Sequence, residues 1–326
     1  MKVLVMGGNR YIGLNLVYEL ARQGHEVTVF NSHPTPMPEG VLRLHGDRRQ
    51  PGVIQEVLGP RRDEFDAVFD NTSYRPADVQ PLVEIFRGRV NHFVFTSSVA
   101  TYLPSDVQPV GEDFPVSDDD ATSIYPTYGT AKVFCERLLH EEYERNAFPA
   151  TCLRVSHTCG PRSPNAARDP GFFARLEAGR PILVAGDGMP FIHVIHVLDA
   201  ARAMCAVLGK SQAAGQIYNI AGSQYGSILG YIHLMAKVAG KPLKVIHVPP
   251  EIAHGCNPRE PVTHWREWIY GGMVFSIEKA RRDLGWEPQF DLVSGLEDSY
   301  RWFDLEGRGL YTFDFSQDDA LLARLS

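Results

Sequence analysis

The sequence predicts an α/β fold, a doubly wound parallel sheet with a smaller lobe toward the C-terminus. Three observations carry that expectation. The chain opens on a short Val-rich run, Met1-Lys2-Val3-Leu4-Val5-Met6, as a strand buried on both faces requires. A Gly-rich turn follows at once, Gly7-Gly8-Asn9-Arg10-Tyr11-Ile12-Gly13. Apolar positions at helical spacing (Leu14, Val17, Tyr18, Ala21) come next, stopped by Gly24, and Glu26–Phe30 is a second strand. From there strand and helix patterns alternate as far as Thr96.

The first unit is of the Rossmann, dinucleotide-binding type. Its glycines let backbone N–H groups and a helix N-terminus approach a pyrophosphate, which a Cβ would obstruct. Gly7, Asn9, Arg10, Tyr11, Ile12 and Gly13 are the expected contacts in this turn. The acid that usually meets the adenosine ribose at the end of the second strand is missing, and Asn31-Ser32-His33-Pro34 stand there instead. Asn31, Ser32 and Arg10 can surround a 2′-phosphate, and Asn31 can also bond a diol. Both NAD and NADP are therefore permitted.

Val41–Leu44 reads as a third strand, closed by Gly46 and by Asp47, which is expected near the adenine. Ala67–Asp70 is the fourth, and its carboxyl end (Asn71, Thr72, Ser73, Tyr74) lies where a parallel sheet lines its ligand crevice. A helix pattern from Val79 to Phe86 leads to the fifth strand, His92–Thr96. Asn71, Thr72 and Thr96 are expected on the cofactor, Ser73 and Tyr74 on the substrate. The fifth strand closes in Ser97-Ser98-Val99-Ala100-Thr101-Tyr102, and a helix opens at Tyr128 with Lys132 four residues on. That spacing puts phenol and ammonium on one helical face, where the cation is expected to lower the phenol's pKa. Asp118-Asp119-Asp120 reads as a solvated loop.

The chain has 326 residues, 44% hydrophobic, with a formal net charge of −7 that gives no support to a polyanion-binding surface. Its five cysteines include no C-x-x-C pair and read as reduced thiols of a cytoplasmic protein. No apolar run reaches membrane-spanning length, and a strand beginning by residue 3 leaves no room for a signal peptide. His193 and His196 are three apart in a strand-like run, and His254, Cys256 and His264 lack ligand spacing, so no metal is expected.

In the order of these motifs the chain resembles the extended short-chain dehydrogenase/reductases of the NAD-dependent epimerase/dehydratase type. The resemblance runs from Gly7 to about Phe303 and includes Leu153-Arg154, Gly160-Pro161, Gly186-Asp187-Gly188, His196-Val197-Leu198-Asp199-Ala200 and Leu284-Gly285-Trp286-x-Pro288. It implies a catalytic set of Ser98, Tyr128 and Lys132, with Tyr128 and Lys132 also touching the cofactor. The implied chemistry is transient oxidation of a hydroxyl on a sugar, nucleotide sugar or nucleoside, followed by epimerisation or elimination. A redox-neutral cycle of this kind favours NAD, and family members often dimerise through the helix that carries Tyr and Lys. Gly215-Gln216-Ile217-Tyr218-Asn219-Ile220 and the Gly7–Gly13 turn also look like the subgroup with chloroplast stem-loop RNA-binding proteins, although this chain keeps the Tyr/Lys pair.

Nucleotide-sugar enzymes of the family usually carry Asn where His157 stands, and Arg after the Gly-Asp-Gly turn where this chain has Met189-Pro190-Phe191-Ile192-His193. Both departures suit a smaller sugar or a nucleoside. Val99-Ala100 replace the Asp-Glu of family dehydratases that remove a 6-hydroxyl. Substrate contacts are expected from Ser73, Tyr74, Ser98, Val99, His157, Cys159, Phe191 and His193. The expected lobes are residues 1–160 with 191–232 for the dinucleotide, and 161–190 with 233–310 for the substrate, with 311–326 as a loosely packed tail. An NADPH-dependent ketoreductase and an RNA-binding protein on the same scaffold are the alternative readings.

Overall fold

The computed structural model describes residues 1–326 except 124, 167, 255–271 and 326. Cys256 and His264 lie outside the described residues. A seven-stranded parallel sheet forms the centre, in the order β11-β6-β5-β4-β1-β2-β3. Its strands are β1 (Lys2–Met6), β2 (Glu26–Asn31), β3 (Leu42–His45), β4 (Ala67–Asp70), β5 (His92–Ser98), β6 (Ala150–Val155) and β11 (Ile217–Ile220). The chain runs outward from β1 through β2 to β3, then returns to β4 on β1's other side and continues outward. That reversal opens a crevice beyond the carboxyl ends of β1 and β4, where ligands of such sheets bind.

Helices cover both faces, as the buried apolar strands demand. On one face α1 (Tyr11–Arg22) packs with α6 (Val197–Ala206) over Val3, Val5, Val27 and Val29. On the other, α2 (Val53–Leu58), α3 (Pro76–Phe86) and α4 (Tyr128–Asn146) close over Leu4, Met6, Phe93 and Phe95. The third strand lies one residue later than the spacing predicts, and the third helix starts at Pro76, not Val79. Proline fits the first helical turn, and Asp78 turns back to accept from the Tyr74 and Arg75 amides.

The second lobe has its own apolar core, built from α5 (Asp169–Glu177), β8 (Ile182–Ala185), α7 (Ile228–Ala239) and α8 (Leu292–Trp302). The lobe boundary expected at residue 232 falls inside α7, whose buried Ile228, Tyr231, Ile232, Met235 and Ala236 all join this second core. We therefore draw the boundary ahead of α7. Between the lobes run the short pairs β7 (His157–Cys159) with β10 (Val194–His196) and β9 (Phe191–Ile192) with β12 (Gly226–Ser227).

The tail is not loose. In α9 (Ser316–Leu325), Leu321 is buried, and Asp318 meets the buried Arg175 guanidinium at 2.7 and 3.0 Å. Tyr311 donates to the Ser163 carbonyl at 2.6 Å. The acidic run 118–120 is exposed, as a solvated loop should be, and is also partnered: Asp118 pairs with Arg137, and Asp120 accepts from the Thr127 amide at 2.7 Å and from the Thr130 hydroxyl.

Candidate active site

The Gly turn leaves no room for side chains. Gly7 has φ +82°, and a Cβ there would stand 2.0 Å from Thr72 Cγ2; one on Gly13 would stand 2.3 Å from the Gly7 carbonyl oxygen. The start of α1 is thus seated on the turn. Tyr11 opens that helix at φ +41°, a left-handed conformation unfavourable for a residue other than glycine. Its hydroxyl crosses the crevice floor to donate to the Thr158 carbonyl at 2.9 Å, which anchors it.

The catalytic candidates are brought together by packing at the head of α4. A Cβ on Gly129 would lie 2.2 Å from the Ala100 carbonyl oxygen, so the helix abuts the end of β5 directly. Immediately before it Thr127 sits at φ +64°, with the Tyr128 amide donating to Pro126 O at 2.8 Å across a tight γ-turn. The result sets Tyr128 beside Ser98, close enough for the serine hydroxyl to pull the phenol's pKa down.

Lys132 does not act on the phenol as its spacing predicts. It is buried, and Nζ donates to the carbonyls of Ser73 and Thr96, both at 2.7 Å, under the rings of Phe95 and Tyr74. Burial holds the Tyr128 phenol above its ordinary value, and the charges that reach it are those of Tyr74 and Arg168. The ammonium itself is pushed down by burial. Two carbonyls compensate a buried cation well, which is why the side chain turns toward them.

Beside it, Ser73 is fully buried with its hydroxyl between Asp70 and Arg48, so it faces the interior and not the crevice. Thr72 accepts from the same guanidinium. Asp47 closes on Arg49 at 2.7 and 3.0 Å, which holds its carboxyl down at about 2. Ser32 bonds the neighbouring His33 ring at 2.8 Å on the surface, and the N-cap residue Arg10 is exposed.

A cleft of about 440 Å³ runs from the Gly turn to the second lobe. It gathers Tyr11, Ile12, Thr96, Ser98, Val99, Tyr128, His157, Phe191 and His193 from the sequence-predicted set. Tyr74 is exposed, its ring 6.2 Å from that of Tyr128. Cys159 is not among the lining residues: it is buried in the second lobe's core, and burial pushes its thiol up. His193 forms wall, not base. Its Nε2 donates to Gly222 O at 2.8 Å, its Nδ1 accepts from the Phe275 amide at 3.1 Å, and burial pushes it down to about 4.

Sequence reading missed Ser156, Tyr125, Asn165, Arg168, Met273 and Phe275, which also line the cleft. Most stand in irregular segments, where no periodicity marks a side chain's direction. Among the described lining residues Arg168 is the one guanidinium.

Fold and cleft together are those of a dinucleotide-binding enzyme, with the Ser98 and Tyr128 side chains lining the cleft. The sequence profile of the NAD dependent epimerase/dehydratase family matches residues 3–221. The chain belongs to that family. It is 33% identical to the chloroplast stem-loop binding protein of 41 kDa b from Arabidopsis thaliana, over 99% of this chain and 84% of that one. It is 26% identical to a UDP-glucose 4-epimerase of Halalkalibacterium halodurans, over 96% and 98%. In fold it matches the UDP-glucuronic acid 4-epimerase of Bacillus cereus solved with NAD, at TM-score 0.74 and 21% identity over 94% and 98% of the two chains.

The residues present fit a dinucleotide. Besides the glycine cradle, Asn31 at the end of β2 is 5% exposed, with neither its amide oxygen nor its nitrogen paired among the described residues. Asn71 accepts from Thr96 Oγ1 at 2.5 Å, while its buried Nδ2 has no partner there. Such groups are ordinarily satisfied, and polar atoms of a ligand along the carboxyl edge would satisfy them.

Proposed function

We propose that the protein interconverts sugars, free or carried on a nucleotide or as a nucleoside, by oxidising one hydroxyl and reducing the resulting ketone within a single cycle. One observation carries the reading: Tyr128 and Ser98 line the same cleft as Tyr11 and Ile12 of the Gly turn, and the serine acts on the phenol. NAD(P) bound in its oxidised form supplies a hydride acceptor and a positive charge. A positive charge favours phenolate and offsets the burial that holds Tyr128 up. Tyr128 then takes the substrate's hydroxyl proton and later returns it, while Ser98 holds the same oxygen. Lys132 braces the Ser73 and Thr96 carbonyls that shape the crevice. In between, the ketone acidifies its neighbouring C–H, which opens the way to epimerisation or elimination.

The sugar class is supported by the UDP-glucose 4-epimerase relative, while His157 and the apolar Met189–Ile192 stretch favour substrates smaller than a full nucleotide diphosphate sugar. The test is a panel of UDP-sugars, free hexoses and nucleosides assayed by mass spectrometry and NMR with wild type and Tyr128→Phe. Product from wild type alone, with NADH binding equal in both, supports the reading; full activity in Tyr128→Phe removes Tyr128 from its role. The 33% identity to a stem-loop binding protein favours a second reading, RNA binding, for which a salt-dependent gel shift is the assay. A cytoplasmic location and a homodimer through α4, whose Phe134 is 43% exposed, are part of the proposal. Among the described residues no helix is long and apolar enough to cross a membrane.

A further inference from the structure

One polar group in the cleft stands apart from its neighbours. In the β5–β6 ladder Ser98 lies opposite Val155, so Ser156 is the next residue outward on the adjoining strand. Its amide donates to Ile220 O at 2.9 Å, and its carbonyl accepts from Thr158 Oγ1 at 3.1 Å. The residue is only 4% exposed, lines the cleft, and its hydroxyl has no partner among the described residues. Other hydroxyls nearby are satisfied: Ser97 donates to Glu136 at 2.5 Å, Thr96 to Asn71 at 2.5 Å, and Ser98 accepts from the Ala100 amide at 3.2 Å. An unpaired buried hydroxyl is destabilising, and nothing about the strand end requires a serine there.

We propose that Ser156 Oγ is a cofactor-positioning group that hydrogen-bonds the carboxamide of the nicotinamide. The inference rests on the dinucleotide reading but not on the redox-neutral cycle. A ring that exchanges hydride with a substrate on Tyr128 has to lie between that phenol and the Gly turn. The cleft's lining includes Ile12 at the start of α1, Thr96 and Val155 at the ends of β5 and β6, and Ser156 just beyond. A carboxamide offers both a donor and an acceptor, and a hydroxyl matches either. A substrate hydroxyl has the same hydrogen-bonding chemistry, so the test separates the two sources.

Wild type and Ser156→Ala are titrated with NADH, by nicotinamide fluorescence, and with ADP-ribose, by calorimetry; ADP-ribose lacks the nicotinamide. Loss of one hydrogen bond is expected to weaken NADH about tenfold. ADP-ribose affinity is expected to change by less than about twofold, since no group it carries is lost a partner. The unliganded variant is expected to melt no lower than wild type, because the orphaned group has been removed. Equal weakening of both ligands, or NADH affinity unchanged whatever happens to a substrate KM, overturns the proposal. A melting point several degrees below wild type also overturns it, since that marks the hydroxyl as structurally paired. Wild type that binds neither ligand overturns the cofactor reading itself, a distinct result.

Discussion

Two stretches of the same sheet edge treat polar groups in opposite ways. At the end of β4, Asp70 is fully buried, accepts from the Thr72 and Ser73 amides at 3.1 Å, and meets Arg48 at 3.2 Å. Arg48 also donates to Ser73 Oγ and to the Asp78 carbonyl, and Lys132 caps the Ser73 carbonyl. At the ends of β2 and β6, Asn31 and Ser156 are as buried but keep unpaired side chains, and Asn71, just past β4, keeps one free N–H pair. The closed cluster fixes the shape of the crevice. The open groups are where we propose that a ligand completes it. Burial alone does not tell the two apart; partner counting together with position on the crevice does.

The contrast can be broken at several points. The largest effect is expected from Tyr128→Phe, which removes the proton-transfer group and leaves the cradle intact: turnover falls by roughly 10²–10⁴-fold with NADH affinity unchanged, measured by steady-state assay and fluorescence titration. On the closed side, Arg48→Met leaves a carboxylate buried without its cation, and urea unfolding is expected to show a loss on the order of 3 kcal/mol.

Acid probes the wall. His193 is held at about 4 against an ordinary 6.5, so below pH 6.5 the unfolded chain binds a proton that the folded one refuses. Stability therefore falls as pH drops from 6.5 toward 4, by up to about 3 kcal/mol from this group. Unfolding curves of His193→Gln against pH should show a shallower slope over that window. The smallest effect is on the open side: Asn31→Ala is expected to cost little folding stability but to weaken NADH about tenfold, as loss of one or two hydrogen bonds implies. Equal stability losses in Arg48→Met and Asn31→Ala would erase the distinction.

The parallel sheet and the cradle were legible because glycine spacing and Val-rich runs state backbone requirements directly. Gly7 and Gly13 face clashes that any Cβ would create. Tyr128 beside Ser98 was legible in the motif order. What Lys132 touches was not, since a helical spacing of four shows a shared face but not which carbonyls lie within reach. Arg48 and Ser156 gave no sequence signal at all, because their roles depend on side chains from β4, α3 and β6 meeting in space. Cys159 and Ser73 misled for the converse reason: both stand at strand ends that point toward the crevice, yet both side chains turn inward.

The central claim is that oxidation and reduction are balanced within one cycle on this cleft. The most direct measurement is cofactor stoichiometry: NADH absorbance at 340 nm followed during many turnovers of whichever sugar the panel identifies, with product counted by NMR. A redox-neutral cycle gives many products per enzyme with no net change in NADH. One NADH or NADPH consumed for each product formed would contradict it and make the protein a reductase.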